Sequence, residues 1–217
     1  MSDLSSPTLF NLDCRNCPRL ATHLDLVKRE NPDYHARPVP PFGDDNPRLL
    51  IVGLAPGMHG ANRTGRPFTG DYAGILLYDT LHRFGFSTAP TSVDKADGLR
   101  LIDCRITNAV KCLPPENKPE PKEITLCNSY LSNELKALPR LKVVLALGNV
   151  AHAAVLKAIG AKAKDYPFGH GNQHSIDNDI TFYDSYHCSR YNTQTKRLTT
   201  DMFHAVFARI RAQLENV

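Results

Sequence analysis

The sequence lacks any long hydrophobic run, and this absence excludes one class of protein. No stretch of about 18 consecutive apolar residues occurs, so the sequence predicts no transmembrane helix. The first seven residues, MSDLSSP, also lack the basic and then apolar pattern of an export signal. We therefore expect a cytoplasmic protein, in which disulfide bonds between its six cysteines are improbable.

The sequence also has no internal repeat, no second core pattern and no linker. These absences predict one domain over residues 1–217, with residues 1–13 as a loose leader. Hydrophobic residues make up 41% and charged residues 22% of the chain, which is ordinary for a globular protein. The net charge of +4 is compatible with a polyanionic partner without establishing one.

Four apolar segments have the pattern of buried strands and alternate with helical patterns. The strands are expected at Leu49–Leu54, Ile102–Val110, Val143–Leu147 and Ile180–Tyr186. Strands that alternate with helices predict an α/β fold, here a single-domain three-layer sandwich with a four-stranded parallel sheet flanked by helices. We expect Asn149 to cap the helix after the third strand, and Thr199 or Thr200 to cap the last helix.

The glycine-rich loop from Gly53 to Asp71 is the most informative segment of the chain. Its five glycines and two prolines cannot build a regular element, and it follows a strand, where α/β proteins bind ligands. Arg63 and Arg66 can grip phosphate, the Phe68 ring can stack on a base, and the carboxylate of Asp71 can move a proton. A long structural turn is the alternative, but long loops inside compact domains are usually functional.

The loop that follows the fourth strand, Tyr186–Arg197, is polar and basic. His187 at its root can hydrogen-bond a developing anion, although a purely structural histidine is an equally good interpretation. The residue types that typically contact phosphate are present at Ser189, Arg190, Asn192 and Lys196. A solvated turn is the alternative for these cations.

Two further features occur at the ends of strands. Asn108 can read the edge of a base with one donor and one acceptor, or it can bond the local backbone. Gly148 and Asn149 begin a helix, and the amino end of a helix attracts anions. Because the carboxyl ends of parallel strands meet at one edge of a sheet, these features predict one cleft for an extruded base on a nucleic-acid backbone.

Four cysteines are candidates for a metal site. They are the CxxC pair Cys14 and Cys17, followed by the single residues Cys112 and Cys127. Four thiolates are typical of zinc or of an iron–sulfur cluster, and one pair with two single cysteines favours iron–sulfur. Plain burial in the core is the alternative for Cys127, and it is what we expect for Cys104 and Cys188. We expect the metal to be structural.

Several motifs together resemble a known family over nearly the whole chain. They are GLAPG at Gly53–Gly57, HGANRTGRPFTGD at His59–Asp71, TNAVKC at Thr107–Cys112, LPPENKPEP at Leu113–Pro121, ALGNVAHAAV at Ala146–Val155 and YHCSRYNTQTKRLT at Tyr186–Thr199. With these motifs the chain resembles the iron–sulfur uracil-DNA glycosylases, in the branch called family 5 or type B.

The resemblance implies a role for each candidate residue. It implies a [4Fe–4S] cluster on the four cysteines Cys14, Cys17, Cys112 and Cys127. It implies that Phe68 stacks on the flipped base, that Asn108 reads its polar edge and that His187 stabilises the leaving base. Asp71 would position water or stabilise the sugar cation, and Ser189, Arg190 and their neighbours would pinch the DNA phosphates and wedge the duplex.

Three positions depart from the pattern of the better-known uracil glycosylases. Ala55 stands where those enzymes carry a water-activating Asp or Asn, and Gly57 stands where they carry a tyrosine that excludes thymine. Cys188 replaces the proline of the usual His-Pro-Ser triplet. A missing ring at Gly57 leaves a roomier pocket beside Gly53 and Ala55, so we expect excision of uracil and also of hypoxanthine.

The resemblance thus predicts a monofunctional DNA glycosylase of base excision repair. Its partner would be DNA that contains uracil or another damaged base, and we expect a monomer associated with the nucleoid of a prokaryote. Three alternatives remain at this point. They are a non-catalytic nucleic-acid-binding module with a structural metal, a redox protein that uses the cluster for electron transfer, and a zinc-bound α/β domain.

Overall fold

The structure of the protein is a computed structural model, which describes residues 10–176 and 179–216. Most of the expected leader, residues 1–9, lies outside the described residues. The strands are β1 Phe42–Gly43, β2 Leu49–Gly53, β3 Cys104–Asn108, β4 Val143–Leu147, β5 Gln173–Ile176 and β6 Ile180–Ser185. The α-helices are α1 Pro18–Glu30, α2 Ala61–Thr64, α3 Tyr72–Arg83, α4 Pro121–Lys136, α5 Asn149–Ile159, α6 Arg190–Gln194 and α7 Thr200–Glu215. None of these helices is long and apolar enough to cross a membrane.

The strands form one mixed sheet in the order β1-β3-β2-β4-β6-β5. Its four central strands are parallel, as the sequence predicts. The two outer strands are antiparallel and were not predicted. β1 is only two residues long, and three of the four residues of β5 are polar and largely outside the core, so neither has an apolar run to mark it.

Helices cover both faces of the sheet, which confirms the three-layer arrangement. Alternate residues of each strand face opposite sides, so Leu49 and Ile51 pack with α3 and α7, whereas Leu50 and Val52 pack with α4 and α5. α1 forms a smaller third cluster against the segment after β3. Both faces of the central strands are therefore buried, as expected for parallel strands that read as continuous apolar runs.

The sequence predicts the cap residues of two helices, and the structure confirms one of them. Thr199 caps α7 through its side chain, as expected, with the N–H of Met202 as donor. The expected cap of α5 is wrong: Gly148 is the cap residue and Asn149 is the first helical residue. The backbone of Gly148 has φ 95°, a conformation that favours glycine over asparagine.

The order in which strands are added to the sheet reverses at β2. From β2 the connection leads to β3 on one side, and the later strand β4 is added on the other side. Such a switch point opens a crevice at the carboxyl ends of the strands, where the glycine-rich loop follows Gly53.

Candidate active site

A cavity of about 380 Å³ lies at the carboxyl ends of the central strands. It is lined by Leu54, Ala55, Gly57, Ala61, Phe68, Asp71, Ala73, Asn108, Asn117, His187 and Ser189. The sequence-based candidates among them come from three separate segments of the chain, namely the glycine-rich loop, the end of β3 and the loop after β6. The structure therefore brings Phe68, Asn108 and His187 to one cavity, in the size range of sites for small molecules.

Gly53, the last residue of β2, positions two of these side chains. A Cβ atom built at Gly53 would collide with Oδ1 of Asn108 and would lie 2.6 Å from Cζ of Phe68. Any larger residue would push the amide and the ring apart. Because Gly53 has no side chain, Asn108 and Phe68 can both pack against it and line the cavity.

The Phe68 ring is held by an unusual backbone conformation. Phe68 has φ 52°, which is uncommon for a bulky residue and points to a constrained position. The hydroxyl of Tyr78 donates to the preceding carbonyl of Pro67 at 2.9 Å and fixes the loop there. The ring stacks on His187 with centroids 5.8 Å apart and an angle of 30° between the planes. A planar ligand entering the cavity therefore meets an aromatic surface.

Asn108 presents an unused acceptor at the end of β3. The residue is only 3% exposed, yet its Oδ1 atom has no hydrogen-bond partner within the described chain. Buried polar atoms are nearly always paired, so an orphaned acceptor beside a cavity indicates a ligand that supplies the donor. This observation disfavours the alternative in which that oxygen bonds local backbone.

His187 is a neutral group in this site. Burial lowers the pKa of its imidazole to about 4, so the ring carries one N–H and no charge at neutral pH. The side-chain amide of Asn192 donates to the carbonyl of His187 at 2.8 Å and anchors the loop. A neutral imidazole can donate a hydrogen bond to an oxygen on which negative charge develops.

Asp71 has a structural role as well as a place in the cavity wall. It caps α3, with Oδ1 accepting from the N–H of Gly74 at 2.9 Å. Burial raises the pKa of this carboxyl, while the backbone N–H groups of Gly74 and Ala73 act in the opposite direction. A Cβ atom at Gly57 would lie 3.8 Å from Oδ2, so this oxygen faces the part of the cavity that the glycine leaves open.

Asn117 is a lining residue that the sequence analysis missed. It lies in the proline-rich loop after β3, in the short 3-10 helix Pro115–Asn117. Glu116 and Asn117 both have left-handed backbone conformations, with φ 54° and 57°. The sequence analysis used this loop only as the motif Leu113–Pro121 and named no site residue in it. Two strained residues in sequence at the rim of a cavity point to a functional position, but strain is invisible in the sequence.

A second groove of about 280 Å³ adjoins the cavity and holds several expected phosphate contacts. Gly148, Asn149 and Asn192 line it together with His187. Ser189 caps α6, with its Oγ accepting from the N–H of Asn192 at 3.4 Å. The other expected cations Arg63, Arg190 and Lys196 are exposed.

Tyr191 is a second residue that the sequence analysis did not single out. It is 70% exposed and lies on α6 beside Arg190, two residues after Ser189, which lines the cavity. An exposed aromatic ring next to cations is a surface on which a base can stack.

The expectation that Arg66 contacts DNA is wrong. Its side chain is only 5% exposed and pairs with Asp97 at 2.8 Å. It also lies over the ring of Phe42, 4.5 Å from the centroid. Burial of a charge requires such a partner, so Arg66 is committed to holding two loops together and is not available to a phosphate.

The four cysteine candidates line a separate cavity between α1, the segment after β3 and α4. The thiols there are Cys14, Cys17, Cys112 and Cys127. Burial, followed by the neighbouring thiols, raises the pKa of Cys17 to about 11. Among the described residues no group of three His, Cys, Asp or Glu side chains is placed to hold a single metal ion. Cys104 and Cys188 are buried, as expected for core residues.

Comparison with known proteins identifies the family. The model of the family described as "Uracil DNA glycosylase superfamily" matches residues 40–211. The chain belongs to this superfamily. Its members are enzymes that hydrolyse the N-glycosidic bond between a base and its sugar, so the protein is a DNA glycosylase.

Individual relatives agree with this assignment. The chain is 47% identical over 195 residues to a Type-5 uracil-DNA glycosylase of Thermus thermophilus, covering 88% of this chain and 89% of the relative. It is 44% identical to a Type-5 uracil-DNA glycosylase of Mycobacterium bovis, covering 89% of this chain and 75% of the relative. The crystal structure of wild-type Pedobacter heparinus SMUG2 has the same fold, with a TM-score of 0.50 and 14% identity over 100% of this chain and 94% of that chain.

The low pKa of His187 makes a testable prediction about pH. Because this pKa is lowered to about 4, the imidazole stays neutral down to that pH, so protonation of His187 should not reduce activity between pH 8 and 5. The measurement is the single-turnover rate of base release against pH, for the native enzyme and for His187→Gln. An inflection near the ordinary histidine value of about 6.5 that disappears in His187→Gln would contradict the assignment.

Proposed function

We propose that the protein excises uracil from DNA, and also hypoxanthine, by hydrolysing the N-glycosidic bond of a flipped nucleotide in base excision repair. The observation that carries the proposal is the convergence of Phe68, Asn108 and His187 on one cavity. The names of the Type-5 relatives support uracil as the base.

Recognition of the base rests on Phe68 and Asn108. The flipped base stacks on the Phe68 ring and turns its polar edge to Asn108, whose Oδ1 is the unpartnered acceptor. Uracil offers an N3–H donor beside the O4 acceptor, which matches the acceptor and donor of an amide. Cytosine offers the opposite order, so an amide in this orientation favours the deaminated base over the normal one.

Departure of the base rests on His187. When the bond between C1′ and N1 breaks, its electron pair stays with the base, and negative charge spreads to the O2 carbonyl. The neutral imidazole of His187 donates its N–H to this oxygen. A well-placed donor of this kind contributes roughly 3–4 kcal/mol to the stability of the transition state.

Water completes the reaction at the sugar. The sugar becomes an oxocarbenium-like cation, which the phosphates of the DNA favour, and a water oxygen adds to C1′. Asp71 holds this water and accepts its proton, since its carboxylate lines the cavity and its pKa is raised by burial. Because the cation forms before water adds, a strong base at position 55 is not needed, and alanine is tolerated there.

The wider substrate range depends on the hydrogen-bonding edge of the base that faces Asn108, and on Gly57. Hypoxanthine presents an N1–H donor beside the O6 acceptor, the same pair that uracil presents to Asn108. Gly57 contributes no side chain, and Asp71 lies beyond it, so the cavity has room for the larger ring system of a purine.

DNA approaches along the rim of the cavity. The exposed cations and the amino end of α5 contact phosphates around the flipped nucleotide, and Tyr191 wedges into the gap that the base leaves. One chain carries the cavity and this rim, so the enzyme works as a monomer. We also propose that the enzyme acts at the nucleoid of a prokaryotic cell, where its DNA substrate would lie.

The direct test is release of free uracil from a duplex that contains one uracil. We expect the native enzyme to release it and His187→Ala to lower the single-turnover rate roughly 10²- to 10³-fold, with DNA binding little changed. His23→Ala, on α1, is the matched control and should behave like the native enzyme. Binding without base release by the native chain would support a non-catalytic module and contradict the proposal.

A ring at position 57 should narrow the substrate range. In Gly57→Tyr the new Cβ meets only an ordinary contact with Asp71, so the ring can enter the cavity without disturbing the fold. We expect hypoxanthine release to fall on the order of tenfold or more relative to uracil release. Gly57→Ala is the control that changes the residue without filling the cavity. An unchanged ratio of the two rates in Gly57→Tyr would refute the role of Gly57.

We also propose a structural [4Fe–4S] cluster on Cys14, Cys17, Cys112 and Cys127. Each thiolate of such a cluster binds a different iron, so the sulfurs surround a wider space than a single ion needs. The four cysteines line one cavity, and the backbone N–H of Lys111 donates to Sγ of Cys127 at 3.3 Å. A cluster there would tie α1 to α4 and to the segment that follows Asn108.

Iron and sulfide content tests the cluster. Protein purified without oxygen should contain about four irons and four sulfides per chain and absorb visible light. Cys17→Ala should lose iron and unfold at a lower temperature, because α1 loses its link to α4. Cys104→Ala is the control, since that cysteine lies in the core away from the cavity. Native protein that contains zinc, or no metal, would contradict the proposal.

A further inference from the structure

A groove of about 430 Å³ adjoins the base cavity, and apart from Arg63 and Asp71 the mechanism above uses none of its lining residues. We call it the α3 groove, and it is lined by Arg63, Gly70, Asp71, Tyr72, Gly74, Ile75, Thr91, Ser92 and Val93. Asp71 lines both the groove and the base cavity, so the two are separated by a single residue. A ligand in the groove would therefore be next to the flipped base.

One wall of the α3 groove is apolar and exposed. Ile75 is 65% exposed, Val93 61% and Tyr72 42%. Three of the eight large hydrophobic residues that are exposed in the described chain thus gather here. These side chains add nothing to the core, and the faces of a nucleobase are the kind of surface they fit.

The groove also carries a cation. Arg63 is exposed, and its Nε donates to the carbonyl of His59 at 2.7 Å, which orients the guanidinium across Gly70. Its remaining N–H groups are suited to a phosphate, and the hydroxyls of Thr91 and Ser92 lie along the same groove. An apolar wall beside a cation matches the base and the phosphate of one nucleotide.

The loop that carries Ser92 and Val93 is held in place by the buried Arg66. Its Nη1 donates to Ser92 Oγ at 2.9 Å and pairs with Asp97. Asp97 in turn accepts from the backbone N–H of Val93 at 2.8 Å, and Thr69 bonds Ser92 at 2.7 Å. These bonds fix the loop that carries Val93, so the groove is preformed rather than an accident of a mobile surface loop.

We propose that the α3 groove binds the nucleotide next to the flipped base on the same DNA strand. Its base lies against Tyr72, Ile75 and Val93, and its phosphate lies against Arg63. The proposal rests on the function proposed above and adds a subsite to it. Arg190 lies over the ring of Tyr72 at 5.9 Å, so this subsite is continuous with the cationic rim on α6.

The test uses single-stranded oligonucleotides with one uracil, extended one nucleotide at a time on the 5′ side or on the 3′ side. For the native enzyme, the rate of base release at low substrate concentration should rise when the first neighbour is added on one of the two sides. In Ile75→Ser/Val93→Ser this rise should shrink on the order of tenfold. For this double variant, the rate of base release from the shortest substrate should equal that of the native enzyme. The same should hold for the series that is extended on the other side. When the added neighbour is abasic, the rate should rise only by the contribution of its phosphate. Arg63→Ala should remove that contribution.

Ile102→Ser is the matched control, because Ile102 is 49% exposed and lies before β3, at the opposite end of the sheet. The proposal is overturned if the double variant equals this control on every substrate, which would leave the groove to a protein partner. It is also overturned if the double variant is impaired equally on the shortest substrate, since the damage would then be in the base cavity. Failure of the proposed function itself has a different result, namely no base release by the native enzyme from any oligonucleotide.

Discussion

The close approach of Asn108 and Phe68 over Gly53 is the constraint on which the site depends. Two side chains from different segments can share the end of β2 only because the residue there has no side chain. Both side chains line the cavity, and His187, which also lines it, stacks on the Phe68 ring. The parallel sheet supplies the rest, since it brings the ends of its strands to one edge.

Much of this arrangement could be predicted from the sequence. The four central strands are continuous apolar runs, and their order of alternation with helices leaves few possible topologies. Once the sheet is parallel, residues that follow its strands must meet, and this is why Asn108 and His187 could be named as neighbours of the glycine-rich loop. The capping of α7 by Thr199 follows from a local side-chain preference and was also predictable.

The remaining features depend on contacts that no local pattern records. In the loop sequence, Arg66 resembles a phosphate ligand. In the structure it forms an ion pair with Asp97, which lies thirty-one positions later in the chain. Asn117 lines the cavity because Glu116 and Asn117 itself adopt left-handed backbone conformations. Side-chain type alone does not indicate these conformations. The edge strand β5 is mostly polar, so its pairing with β6 is set by the sheet rather than by its own composition.

The most direct measurement is a crystal structure of the His187→Ala variant bound to a duplex that contains one uracil. The account predicts that the uracil lies outside the helix in the cavity, with its face on Phe68 and with its N3–H and O4 edge at Asn108. A uracil that remains stacked in the duplex, or that binds away from Phe68 and Asn108, would contradict it.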